Sequence, residues 1–397
     1  MLSSRTRVLI GGASALAVSV LVALPASATT GPAIRTVQPG HVHVLYDVGI
    51  HSNVTRAQAL AGATTASSSF SQFKAAVTVG TKSYTYVMAG LNPAVKVSNA
   101  TATIKTELVP VIVKVQGTTV SWDPTKIDSC DTGASALSRV QKSPIFTNQS
   151  WTFGGTSIGT GQVTDAFQRA EFWKYAQGTG INPSYNVNLS VTTLKPVTIT
   201  VPGSEAFGIK ISCGNGFIGD IPISFLQSAI QKTVIPSLAT QGVGPSTLPV
   251  FVVHNVVEFI GTNPNNCCVL GFHNAFSRTS GVQTYGISWY NNSHSSLFSN
   301  ASDVAALSHE VGEWQDDPYT NNPTPSWGHV GQVSGCQTNL EVGDPLSGTT
   351  FAHTENGFTY HVQELAFFSW FYHQSPSLGV NGWYSDQGKF RTFAANC

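Results

Sequence analysis

Charge is what this chain has least of. Lys, Arg, Asp and Glu together make up 10% of its 397 residues, against roughly a quarter in an average soluble protein, so solubility must come from neutral polar side chains. The 20 basic and 20 acidic residues balance, and no segment gathers the basic ones, which sets aside nucleic acid and anionic membranes as partners. A surface this poor in charge suffers little self-repulsion in acid, so an acidic habitat is expected. No C-x-x-C occurs among the six cysteines, two of which, Cys267 and Cys268, are adjacent; a thiolate zinc knuckle or a thioredoxin-like motif is therefore not expected. After residue 28 no apolar run reaches the roughly 20 residues of a membrane helix. The longest aromatic run, Leu365 to Tyr372, is interrupted by Ser369, so no membrane span is expected in the mature chain.

What is present begins with an export signal. A basic head (Arg5, Arg7), an apolar stretch from Val8 to Leu24 and the small-residue exit Ala26-Ser27-Ala28 have the pattern of a secretory signal peptide, residues 1–28, with the mature secreted protein beginning near Thr29. In an oxidising compartment an even set of cysteines favours disulfides, with fifteen pairings open. They are expected to act as staples.

Short β-rich runs separated by Gly, Asn and Pro mark residues 29–145 as a β-rich amino-terminal region. Residues 146–397 alternate strand and helix patterns, which together predict an α+β fold. Helices are expected at Thr164–Ala176, at Ile221–Ile235 up to Pro236, at Ser302–Gln315 with Ser302 or Asp303 as cap, and at Thr359–Tyr372. Leu248–Ile260 is predicted to be a strand buried on both faces.

The third of those helices carries His309-Glu310-Val311-Gly312-Glu313. Positions 309 and 313 lie one turn apart on one helix face, so an imidazole and a carboxylate are able to grip one metal ion, while Glu310 points to a neighbouring face. With 11 histidines in the chain, a chance H-E-x-x-E is expected only about 0.006 times. Nine of the 20 acids fall between Asp303 and Glu364, where roughly three would fall in an even spread. The bland alternative is a solvated helix end, with Glu313 paired to a nearby base.

The motif, followed by Asp317-Pro318, Trp327 and Glu341-Val342-Gly343-Asp344, resembles the secreted zincin-like metallopeptidases. The resemblance covers about residues 248–372. It implies a zincin-like α+β domain with His309 and Glu313 as metal ligands, Glu341 as third ligand with Asp344 as the alternative, and Glu310 as general base. It further implies a zinc-dependent peptidase that hydrolyses peptide bonds of a peptide or protein substrate through a metal-activated water. Glu313 stands where the best-known motif has a second histidine. One His with two carboxylates neutralises a divalent ion and weakens its Lewis acidity, and the oxygen donors shift the expectation towards Mn or Ca. The alternative function is a non-catalytic secreted binding or cell-surface protein on a zincin-like scaffold.

Other signals compete. Gly155-Thr156-Ser157-Ile158-Gly159 spells the nucleophile elbow of a serine hydrolase, but glycines intervene where the helix should begin. His273 is expected either to help bind substrate or to be a structural histidine beside a disulfide. His329, His353 and His361 are substitute ligands by sequence position, and His41, His43 and His51 form a loose amino-terminal group. Trp314, Trp327, Trp370 and Trp383 line a cleft or, more simply, fill the core.

Overall fold

The computed structural model describes residues 34–37, 42–45, 52–62, 69–291, 297–394 and 397. The expected signal peptide, residues 1–28, and His41 and His51 lie outside what it describes, whereas His43 falls in the strand Val42–Leu45. The fold is α+β and strand-rich, as the alternation of patterns predicts. Among the described residues no helix is long and apolar enough to cross a membrane.

The larger sheet is organised around one long strand, Thr101–Val115. It pairs in parallel with Thr247–His254, Asn186–Thr193 and Val197–Val201. Beyond Thr247–His254 lies Gly281–Tyr290, also parallel, and then the antiparallel Gly271–Arg278. The long strand comes from the 29–145 region and these parallel partners from 146–397, so the two regions share one sheet.

Every residue of Thr247–His254 is buried, as its unbroken apolar run predicts. Alternate side chains point to opposite faces of a strand. Leu248, Val250 and Val252 accordingly join one apolar cluster, Phe251 and Val253 another. The second cluster fills the space against a smaller sheet ordered Arg35–Thr36, Phe207–Lys210, Phe217–Pro222, Val256–Phe259, Cys267–Val269, Val42–Leu45. The first cluster holds Leu307, Val311 and Trp314 of the helix Ala305–Asp316. Trp314, 1% exposed, meets the Phe70 ring at 5.0 Å; burying a side chain of this size contributes roughly 2–3 kcal/mol.

Several expectations are corrected. The run 248–260 is two strands, because Asn255 takes a left-handed φ of 54° and turns the chain from one sheet into the other. The helix expected at 221–235 begins at Ile223 and passes through a π-helical turn, Ile230–Val234, before Ile235–Ser237. The helix expected at Thr164–Ala176 runs Val163–Glu171 followed by Trp173–Ala176, and its Asp165 is buried, accepting from Val187 N–H and pairing with Arg169. Ser302 and Asp303 do not cap the helix that begins at Ala305, whose capping position is Val304.

The largest error is the expected helix Thr359–Tyr372. Phe358–Gln363 is a strand paired with Thr350–Glu355, and only Phe368–Phe371 is helical. The signal for this was Asn356-Gly357, both at positive φ, the dipeptide favoured in two-residue hairpins. Ser157, too, lies exposed in a strand of the hairpin Gln149–Phe153/Thr156–Gly161, with no helix behind it, so there is no nucleophile elbow.

The cysteines form three disulfides: Cys130–Cys213, Cys267–Cys268 and Cys336–Cys397. Two bridge distant segments. The adjacent pair closes no chain loop and so is not a staple in the entropic sense.

Candidate functional site

All twelve residues of Ala305–Asp316 are buried. Its apolar side chains explain one face; its acids and histidine must be held by polar groups of other segments. Ser308 provides one link, its hydroxyl accepting from Gln363 N–H at 3.0 Å and thereby fixing the strand Phe358–Gln363 beside the helix. Gln363 in turn places its amide nitrogen 2.8 Å from His309 Nδ1 and 2.7 Å from Gly343 O, donating to both. His309 Nε2 then carries the proton directed at Glu313 Oε2, 3.1 Å away. For Nε2 to present a lone pair to a cation, the ring proton must sit on Nδ1 and the Gln363 amide must turn aside, because its nitrogen cannot donate there and its oxygen cannot face the Gly343 carbonyl.

The segment after the helix arrives through Gly343, whose N–H donates to Glu313 Oε1 at 3.0 Å. Asp344 follows with Oδ1 3.7 Å from His309 Nε2, while Gln332 and Gln337 donate to its two oxygens. Glu341 sits differently. Its Oε1 accepts from Asn339 at 2.9 Å, and its Oε2 lies 3.9 Å from His273 Nε2. The donor atoms of His309, Glu313 and Asp344 fall within 4.8 Å of one another. The geometry thus brings His309 and Glu313 together with Asp344, the alternative third ligand, and leaves Glu341 beside His273.

Gly343 has an ordinary helical φ of −84°, so its backbone does not require glycine. The space does: a Cβ there would lie 2.3 Å from His309 Nδ1. We expect Gly343→Ala to displace the imidazole, at a cost of about 1–3 kcal/mol in stability from overpacking and a weakening of cation affinity of tenfold or more, read by isothermal titration against the parent chain.

His273, from the strand Gly271–Arg278, enters from the sheet side. Its Nε2 lies 3.1 Å from Asp317 O, and its Nδ1 lies 3.3 Å from Glu310 Oε2 and 3.7 Å from Glu313 Oε2. It is therefore part of the cluster. Its sequence position left a substrate-binding and a structural role both open, and the contact itself depends on sheet order. Asp317, by contrast, closes the helix end as its position suggests: its carboxylate accepts from Asn321 and Asn322 N–H. Burial pushes it up to about 6, against the pull of those N–H groups, His273 and Arg56.

The remaining histidines stay outside. His361 pairs with Asp303 at 2.6 Å, His353 packs on the Trp151 ring at 4.5 Å, and exposed His329 lies beside Cys336, whose sulfur is in a disulfide. Trp314, Trp327 and Trp370 are core residues.

The donor set fits a divalent ion. Around a tetrahedral ion with bonds of about 2.1 Å, donors sit about 3.4 Å apart, and the 3.1 and 3.7 Å separations from His309 Nε2 bracket that value. The six side chains His273, His309, Glu310, Glu313, Glu341 and Asp344 are all at most 3% exposed, so attraction to a cation there is little screened. No protein-family model matches the chain, and neither does any curated protein or solved structure.

Proposed function

We propose that the protein is a secreted, divalent-metal-dependent peptidase with a zincin-like catalytic domain. The observation that supports this reading is the convergence of His309, Glu310 and Glu313, from one buried helix, with Asp344 from a separate segment. His309, Glu313 and Asp344 would hold the ion, with Glu341 beside His273. A zinc ion bound there would supply Lewis acidity, polarising a substrate carbonyl and lowering the pKa of water, with Mn or Ca as the ions that oxygen donors also suit.

Glu310 stands one residue from His309, with Oε1 4.0 Å from His309 Nε2. The helix itself sets this offset. Glu310 is thus placed to accept a proton from an attacking water and pass it to a leaving amine, the general acid–base work that amide hydrolysis requires. A Cβ on Gly271 would lie 3.0 Å from Glu310 Cγ, so the small residue on the facing strand keeps room for the carboxylate.

One observation favours a second reading. The donors are buried, as in closed structural cation sites, which suits a non-catalytic secreted binding or cell-surface protein. Turnover separates the two. Incubated with a library of fluorogenic peptides, the mature protein should cleave a subset, lose activity to a chelator and regain it with zinc or manganese. Absence of cleavage by fully metal-loaded protein would support the binding protein instead.

A further inference from the structure

We propose that the site holds two divalent cations bridged by Glu313, the first gripped by His309, Glu313 and Asp344 and the second by His273, Glu310 and Glu313. This rests on the metal-centred reading above and deepens it. Two triads of donor atoms exist, each with its members within 4.8 Å of one another, and Glu313 is common to both. A single oxygen makes the connection. Glu313 Oε2 lies 3.1 Å from His309 Nε2 and 3.7 Å from His273 Nδ1, facing both imidazoles, while Oε1 is held by the Gly343 N–H.

His273 has the orientation of a ligand. A main-chain carbonyl, Asp317 O, is 3.1 Å from its Nε2 and only accepts, so Nε2 carries a proton. That turns Nδ1 towards two carboxylate oxygens, Glu310 Oε2 at 3.3 Å and Glu313 Oε2 at 3.7 Å. Imidazole ligands are commonly fixed in this way, one N–H on a carbonyl and the other nitrogen on the metal. The spacings match those at the first triad and the separation of about 3.4 Å between donors of one ion.

Charge points the same way. Glu310, Glu313, Glu341 and Asp344 each have an imidazole nitrogen within 4.0 Å. Two divalent ions beside neutral imidazoles would match the formal charge of four ionised carboxylates. Shared carboxylates typically hold paired hydrolytic ions about 3.5–4 Å apart. Glu310 then divides its oxygens, Oε2 towards His273 and Oε1 towards His309, where it remains available as the base.

The test is stoichiometry. Mature protein stripped with a chelator, reloaded with zinc and desalted should carry two equivalents by mass spectrometry. His273→Ala should carry one, with circular dichroism confirming its fold. Loaded with manganese, the parent should show the paramagnetic resonance of an exchange-coupled pair, a readout that does not depend on any variant folding. One equivalent in the parent, unchanged in His273→Ala, would overturn the second site and leave the proposed function standing. Two equivalents retained in His273→Ala would overturn the assignment of its ligands. No bound ion in the parent would overturn both proposals.

Discussion

Glu310→Gln is expected to lower peptide turnover by about two to four orders of magnitude, the usual contribution of a general acid–base group, while the ion held by His309, Glu313 and Asp344 stays bound. The substitution is nearly isosteric. It removes the proton-accepting oxygen without emptying the space beside Gly271, so the helix should fold as before. Glutamine is a weaker donor than carboxylate, so the second ion should be held less tightly. A KM near that of the parent, together with the collapse of kcat, would locate the loss in the chemical step. Activity within a few-fold of the parent would remove Glu310 from the mechanism.

The second large effect is on stability. The protein should be markedly more stable at pH 4 than at pH 8. Several carboxyls are buried where their charged forms are disfavoured. Asp220 lies in the strand Phe217–Pro222 with neither oxygen hydrogen-bonded among the described residues, and burial pushes it up to about 8. Asp316, at the end of the His309 helix, is also pushed up to about 8, chiefly by burial. Glu171 packs against Asp316 and is held well above the usual carboxylate range by burial and that neighbouring charge. Gln168 donates to both, the Phe368 N–H donates to Glu171, and the Tyr185 hydroxyl donates to Gln168. Asp386 is raised by burial and by Glu364.

The sign follows from proton counting. A carboxyl whose folded pKa exceeds its unfolded value binds more protons in the native state across the interval between them. Its contribution to stability is therefore complete below about pH 4 and declines as pH rises towards the folded value. At about 1.4 kcal/mol per pKa unit, one such group reaches on the order of 5 kcal/mol at pH 8, an upper limit that local relaxation reduces. Total stabilities of roughly 5–15 kcal/mol make that a large share. Thermal unfolding in chelator, which separates this effect from metal binding, should show Tm at least about 10 °C higher at pH 4 than at pH 8. Asp220→Asn should flatten part of the slope. A Tm that is level or rises over this interval would contradict the effect. Cation binding runs the other way, since histidine ligands must shed protons, so activity should peak between the acid limit of the metal site and the alkaline limit of the fold.

How much of this was legible in the sequence depended on distance along the chain. The pair His309 and Glu313, and the offset of Glu310, follow from helical geometry over a single turn, and Asp317-Pro318 marks the helix end by local chemistry. The segment 341–344 was legible as a source of a further donor. Which of its acids faces His309 was not, because that depends on the close approach of Gly343 to the imidazole. His273 lies on a strand brought to the helix by sheet order, which no local pattern encodes. Gln363, which orients His309, was hidden by reading Thr359–Tyr372 as one buried helix. Its apolar residues satisfy both periods, and only the turn chemistry of Asn356-Gly357, both at positive φ, distinguishes a hairpin from a helix there.

The most direct test of the metal-centred site is the metal content of mature protein purified without metal-affinity resin, measured by mass spectrometry beside a His309→Ala control. Bound zinc or manganese at one or two equivalents per chain, reduced in the control, is the expected result. Parent protein that carries no ion and takes up none from added zinc, manganese or calcium would contradict it, and would leave the buried histidines and carboxylates as a proton-sharing cluster in a non-catalytic protein.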